Sequence, residues 1–257
     1  MNAVLVAYNH LATIETLEPE LLTDSLVGVF RDRRDWAPLL DYLKGKPKTG
    51  NRIVRKLLDE TVSLVELADV VSAYPDVQPI YLQYLIDRGL ISQAYDAWTR
   101  YVERDLSQLA GAIYNGSFVA DDAPSPFNWN LNSNFAEYMS TDGLYVTHRG
   151  NANTPIASQI ITGAPGPFIL RTTVSGQIPR RGAVLVWRVS CLSDRSVLAE
   201  LRVVLQKNNE RERLEQAGQI PDRDCDFQLL ELMGLVSEYP LTSIVKVAAI
   251  ELVESEH

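Results

Sequence analysis

From Phe127 onward, β-branched and aromatic residues come in short runs separated by turn residues roughly every 8–12 positions, the mark of an all-β fold. Strands are predicted near 127–131, 135–140, 143–149, 156–162, 167–176, 183–192, 197–206, 225–234 and 243–253. Thr141-Asp142-Gly143, Asn151-Ala152-Asn153, Gly163-Ala164-Pro165-Gly166 and Pro179-Arg180-Arg181-Gly182 break them apart. The 183–192 run alternates, with Leu185, Trp187, Val189 and Cys191 on one face, and Cys225, Phe227 and Leu229 share a face later. Lys207 to Arg213 reads as a charged, solvated loop.

The chain before Leu109 has a different period. Trp36, Leu39, Leu40 and Leu43 make one helical stripe; Ile53, Val54, Leu57 and Leu58 a second; Leu64, Val65, Leu67, Ala68 and Val71 a third. Tyr81, Leu82, Leu85 and Ile86 lead to Gly89, and Ile91, Ala94, Tyr95, Trp98 and Val102 follow it. Short stripes with short connections predict antiparallel helix pairs. The expected organisation is therefore α+β and multidomain, with helical hairpins over 1–110 and an antiparallel sandwich over 111–257.

Composition removes several functions. With a net charge of −9 spread over both halves and no basic stripe, the chain is not built for phosphate backbones or anionic lipid, so no nucleic-acid partner is expected. No apolar run approaches the roughly 20 residues that span a bilayer, so no membrane insertion is expected. The N-terminus lacks a basic n-region and a cleavage site, which places the protein in the cytoplasm, or in the periplasm if an export segment lies upstream. Two cysteines are too few for a zinc site, and no metal or cofactor is implied. Cys191 and Cys225 fit either a buried disulfide, worth roughly 3–4 kcal/mol on the chain-entropy model, or two core thiols.

Two segments resemble known modules. Pro79 to Trp98 resembles a tetratricopeptide-type unit, with Leu85, Gly89, Ala94 and Trp98 at the repeat's spacings, although Gln78 and Tyr101 depart from it. Tyr114-Asn115-Gly116-Ser117-Phe118 followed by Pro126-Phe127-Asn128-Trp129-Asn130-Leu131 is similar to the opening of galactose-binding-like jelly rolls, the sandwich of many carbohydrate-binding modules. Ser158-Gln159-Ile160 and Pro165-Gly166-Pro167-Phe168 continue that resemblance, which spans roughly residues 114–253. A helical segment joined to such a sandwich also resembles proteins of bacterial polysaccharide production and export.

The resemblance implies a jelly-roll β-sandwich and a sugar ligand. Sugar binding needs an exposed aromatic face and polar groups for hydroxyls. The candidates are Trp129, Tyr138, Tyr145, His148, Arg149, Asn151 and Gln159, with Trp187 and Asn153 behind them. Trp187 lies among apolar neighbours and reads first as core, and Trp129 as packing under the sandwich. In the 143–149 run, Tyr145 and Thr147 fall on one face and Val146 and His148 on the other.

Catalytic signatures are missing from the sequence. The histidines are His10, His148 and His257, there is no G-x-S-x-G elbow, and Asp121-Asp122 lies in a loop. Gly45 to Gly50 has phosphate-loop spacing but is followed by Asn51-Arg52 and joins helices. Asn115-Gly116-Ser117 also spells a glycosylation sequon. The expected function is a non-enzymatic binding or assembly protein with a polysaccharide or protein partner. The alternatives are a purely structural interaction scaffold and a hydrolase with two converging carboxylates.

Overall fold

A computed structural model describes residue 56 and residues 78–102, 112–141, 143–179, 184–238 and 241–255. The chain divides into two units, Met1–Glu103 and Arg104–His257. The helical stripes before residue 78, on which a repeat array would depend, lie outside the described residues.

In the first unit, helix α1 (Gln78–Asp87) and helix α2 (Ile91–Val102) form a hairpin. Leu90 N donates to Leu85 O and Gly89 N to Ile86 O, the paired bonds of a Schellman cap, and Gly89 supplies the left-handed residue at φ +74°. Gln78 Nε2 reaches Ala97 O at 3.2 Å, so the start of α1 lies beside the end of α2 and the two run antiparallel. Tyr81, Leu82 and Leu85 from α1 and Ala94, Trp98 and Val102 from α2 are buried. Among the described residues this is a single pair, where stacked helical repeats need roughly three units.

The second unit is an antiparallel β-sandwich of two five-stranded sheets. The strands are β1 (Asn130–Leu131), β2 (Ala136–Tyr138), β3 (Leu144–His148), β4 (Thr154–Ile161), β5 (Gly166–Gln177), β6 (Val184–Cys191), β7 (Val197–Val203), β8 (Glu212–Ile220), β9 (Gln228–Leu235) and β10 (Ser243–Glu254). One sheet runs β1-β4-β9-β6-β7 and the other β2-β3-β10-β5-β8, every pairing antiparallel. Alternation sends Leu185, Trp187 and Val189 of the first sheet and Leu144, Val146, Leu170, Val174, Val245 and Val247 of the second into one shared core.

Two strands differ from the sequence reading. The predicted 127–131 strand keeps only Asn130–Leu131. Asn128 folds the segment before it, its Nδ2 donating to Ala123 O and its Oδ1 accepting from Trp129 N, both at 2.8 Å. Strand β8 takes in Glu212 and Arg213, assigned above to a loop. It pairs on one side only, along β5, at the sheet edge, and only Ile220 of its nine residues is buried. Polar residues on such a strand are what edge protection requires, and they erase the apolar signal.

The motif from Tyr114 to Leu131 ties one end of the sandwich together. Asn115, in the left-handed region at φ +52°, donates from Nδ2 to Val119 O at 2.7 Å and accepts Val119 N on Oδ1 at 2.8 Å. Trp129 Nε1 donates to Asn115 O at 2.9 Å. Asp121 accepts the Tyr114 hydroxyl and, at 2.8 Å, Ala123 N. With its amide doubly bonded and buried, Asn115 is closed to glycosylation in the folded protein. Gly116 is obligatory in the same turn, since a Cβ there would meet Ile250 O at 2.3 Å.

Cys191, at the end of β6, and Cys225, before β9, are joined in a buried disulfide with Cα atoms 5.2 Å apart.

Candidate functional site

The sugar candidates separate into buried and outward-facing groups. Trp129 packs at 4.8 Å from Phe118 and 5.8 Å from Trp187, so both indoles belong to an aromatic core cluster. Gln159 is buried as well, its Nε2 donating to Tyr114 O and Phe127 O at 2.9 Å each. It closes the backbone of the opening motif and offers a ligand nothing. His148 is fully buried, 5.9 Å from Phe135 edge to face. Its Nε2 faces Leu235 O at 3.3 Å, and a carbonyl only accepts, so Nε2 carries the proton. Burial lowers its pKa from the ordinary value, opposed by that backbone bond, and the ring is neutral. A buried ring presents no face to a pyranose, so Trp129, Gln159 and His148 are corrected from candidate ligands to packing residues.

Tyr138 is half-buried and packs against the core. Burial, with the Asp121 carboxylate nearby, pushes its hydroxyl pKa up to about 12, so it stays protonated at neutral pH. Arg149, Asn151 and Asn153 are exposed in the β3–β4 connection. There Asn153 Oδ1 accepts Val236 N at 2.8 Å, and Gly150 O accepts Ser237 N at 2.9 Å. This turn therefore abuts the chain that follows β9.

Tyr145 is placed differently. Of the aromatic residues on described strands, Tyr138, Phe168 and Trp187 face inward and Tyr145 faces out. The ladder sets it in a row across the sheet: Glu137 of β2 pairs with Tyr145, Tyr145 with Lys246 of β10, and Lys246 with Ser175 of β5. Side chains directly opposite in such ladders stand roughly 5 Å apart at Cβ, so the row is continuous. Thr147 and Thr173 lie on the same outer face, one row to either side.

Further along, Arg171 sits between Glu215 of β8 and Glu251 of β10. Its Nε is 2.6 Å from Glu215 and its Nη1 3.6 Å from Glu251, while Arg213 Nε reaches Glu215 at 3.1 Å. Hydrogen bonding to Arg171 holds the Glu215 carboxyl below the usual range. The whole face thus combines one aromatic ring with an array of hydroxyl, carboxylate and cationic groups. The outer face of the other sheet carries the pair Arg188–Glu200 at 2.9 Å beside Glu231, and the aromatic residue on its described strands, Trp187, points into the core. Among the described residues, no cluster of three or more His, Cys, Asp or Glu is placed to hold a metal ion.

Sequence reasoning found Tyr145 but missed Glu137, Ser175 and Lys246. Their phase within each strand was readable, because Lys246 falls between Val245 and Val247. Their gathering into one row depends on strand order and register, which no local pattern carries.

The chain matches no protein-family model and no curated protein sequence. Solved structures similar to it include carbohydrate-binding modules. One is a CBM4 structure, at 13% identity and TM-score 0.42, covering 56% of this chain and 100% of that one. A family 16 carbohydrate-binding module gives 16% identity and TM-score 0.36, with 56% and 100% covered. CsCBM6-3 from Clostridium stercorarium in complex with cellobiose gives 10% identity and TM-score 0.31, with 51% and 95% covered.

Proposed function

We propose that this is a non-enzymatic carbohydrate-binding protein whose sandwich takes a polysaccharide on the outer face of the β2-β3-β10-β5-β8 sheet. The observation that carries the reading is Tyr145, the outward aromatic of the described strands, set between Glu137 and Lys246 in one row. A tyrosine ring partly exposed on the outer face of a sheet gives the apolar face of a pyranose a stacking partner. The flanking carboxylate, ammonium and hydroxyls suit sugar hydroxyls, which need both donors and acceptors. The setting we propose with it, bacterial polysaccharide production or export, rests on the joining of a helical hairpin and a sandwich in one chain.

Titration calorimetry of the full chain against polysaccharide fragments, guided by a glycan array, tests the reading. Binding that drops at least about tenfold in Tyr145→Ala, with unchanged thermal unfolding, is expected for a stacking ring. No binding across a broad panel, or full binding by Tyr145→Ala, would remove it.

A further inference from the structure

The cations on this outer face differ in how they are satisfied. Arg171 and Arg213 share Glu215, and Arg171 also approaches Glu251, so their charges are neutralised within the sheet. Lys246 is half-buried beside Tyr145, and among the described residues it has no ion-pair partner. A partly desolvated ammonium without a counter-charge is costly unless something supplies one.

Its placement is supported from below. Gly143, at φ +132°, has no side chain, and a Cβ there would lie 3.2 Å from Lys246 Cε. The lysine stem thus lies along the sheet close to Gly143. Ser175 stands opposite on β5, and the exposed Arg211, one residue before β8, continues the row by strand alternation. Arg211 also has no ion-pair partner among the described residues. Glu137 lies on the far side of Tyr145, two strand spacings or roughly 10 Å from Lys246. The row is therefore polarised, with acceptor character on the β2 side of the ring and cationic character on the β10 side.

We infer that the sugar bound here is anionic, a polysaccharide carrying carboxylates such as uronate units, and that Lys246 is the specificity-determining residue that pairs with the carboxylate. The inference rests on the carbohydrate-binding reading above. A pyranose stacked on Tyr145 carries its ring substituents to the neighbouring strand, within reach of Lys246, while Glu137 accepts hydroxyls at the opposite edge. The overall charge of −9 does not oppose this at contact range, because exposed charges are screened beyond about 8 Å at physiological ionic strength.

The test is titration of the full-length protein with oligogalacturonate and alginate fragments beside cello- and xylo-oligosaccharides of equal length, at low and at physiological salt. At least one acidic series should bind about tenfold more tightly than the neutral ones, with the advantage shrinking as salt rises, as a charge-assisted hydrogen bond predicts. Lys246→Met should erase that advantage, weakening the acidic series by about tenfold more than the neutral ones, and Lys246→Arg should keep it. Equal affinity for acidic and neutral series, or an advantage that persists in Lys246→Met, overturns the inference while leaving carbohydrate binding in place. No binding of any series overturns both.

Discussion

The contact between His148 and Gly234 allows a sharp test of how the two sheets fit. His148 points inward from β3 and Gly234 inward from β9, so the imidazole of one sheet lies on the bare backbone of the other. A Cβ at position 234 would stand 2.7 Å from three ring atoms, about 1 Å inside ordinary carbon contact. The ring has no easy retreat, since it is fully buried, flanked by Phe135 and held at Leu235 O. Gly234 is not in the left-handed region, so alanine brings no backbone strain there. Gly234→Ala should therefore cost about 2 kcal/mol, within the range for overpacking a core. His148→Ala should cost a similar amount through the cavity it leaves. The two changes relieve each other, because the new methyl enters the vacated space. In the double variant the alanine at 234 should be close to neutral, giving a coupling of about 2 kcal/mol. Urea unfolding of the four proteins, followed by circular dichroism, measures this directly. Additivity within about 0.5 kcal/mol would refute the packing argument, as would a Gly234→Ala protein no less stable than its parent.

Other consequences are open to measurement. The Cys191–Cys225 bond closes a separation of 34 residues, so replacing both cysteines by serine should lower stability by about 4 kcal/mol on the chain-entropy model; native protein should show no reactive thiol. A loss below about 1 kcal/mol, or two titratable thiols, counts against that bond. Asn115→Ala removes two backbone hydrogen bonds and puts alanine at φ +52°, and should cost about 2–3 kcal/mol by thermal unfolding. The folded pKa of His148 is lowered, so the unfolded chain binds its proton first. Its contribution is complete above about pH 6.5 and is lost as pH falls toward the folded value, which Tm measured from pH 7.5 to 5 should follow. His148→Ala should flatten that slope, and an unchanged slope would assign it to other groups.

The parts of this fold that were legible in the sequence are those where one face of a strand meets the core. Strand β3 could be divided into a Tyr145 face and a His148 face because its burial alternates, whereas β6 showed its inner residues Leu185, Trp187 and Val189 although Val186 and Ser190 on its other face are buried too. Strand β8 was unreadable because a polar edge strand carries no burial alternation. Burial of Trp129 and Gln159 was only half legible. The resemblance marked Trp129 as part of the sandwich opening and Gln159 as part of its later continuation, but their hydrogen bonds run to Asn115, Tyr114 and Phe127, placements set by tertiary folding. The site divides the same way: the outward phase of Tyr145 is local, while its neighbours Glu137, Lys246 and Ser175 come from three other strands.

Assignment of a bound glycan to one sheet face tests the central claim most directly. Backbone amide shifts followed by NMR as a polysaccharide fragment is titrated in should move first at Glu137, Tyr145, Thr147, Ser175 and Lys246. Shifts gathered instead around Arg188, Glu200 and Glu231, on the outer face of the other sheet, would contradict it.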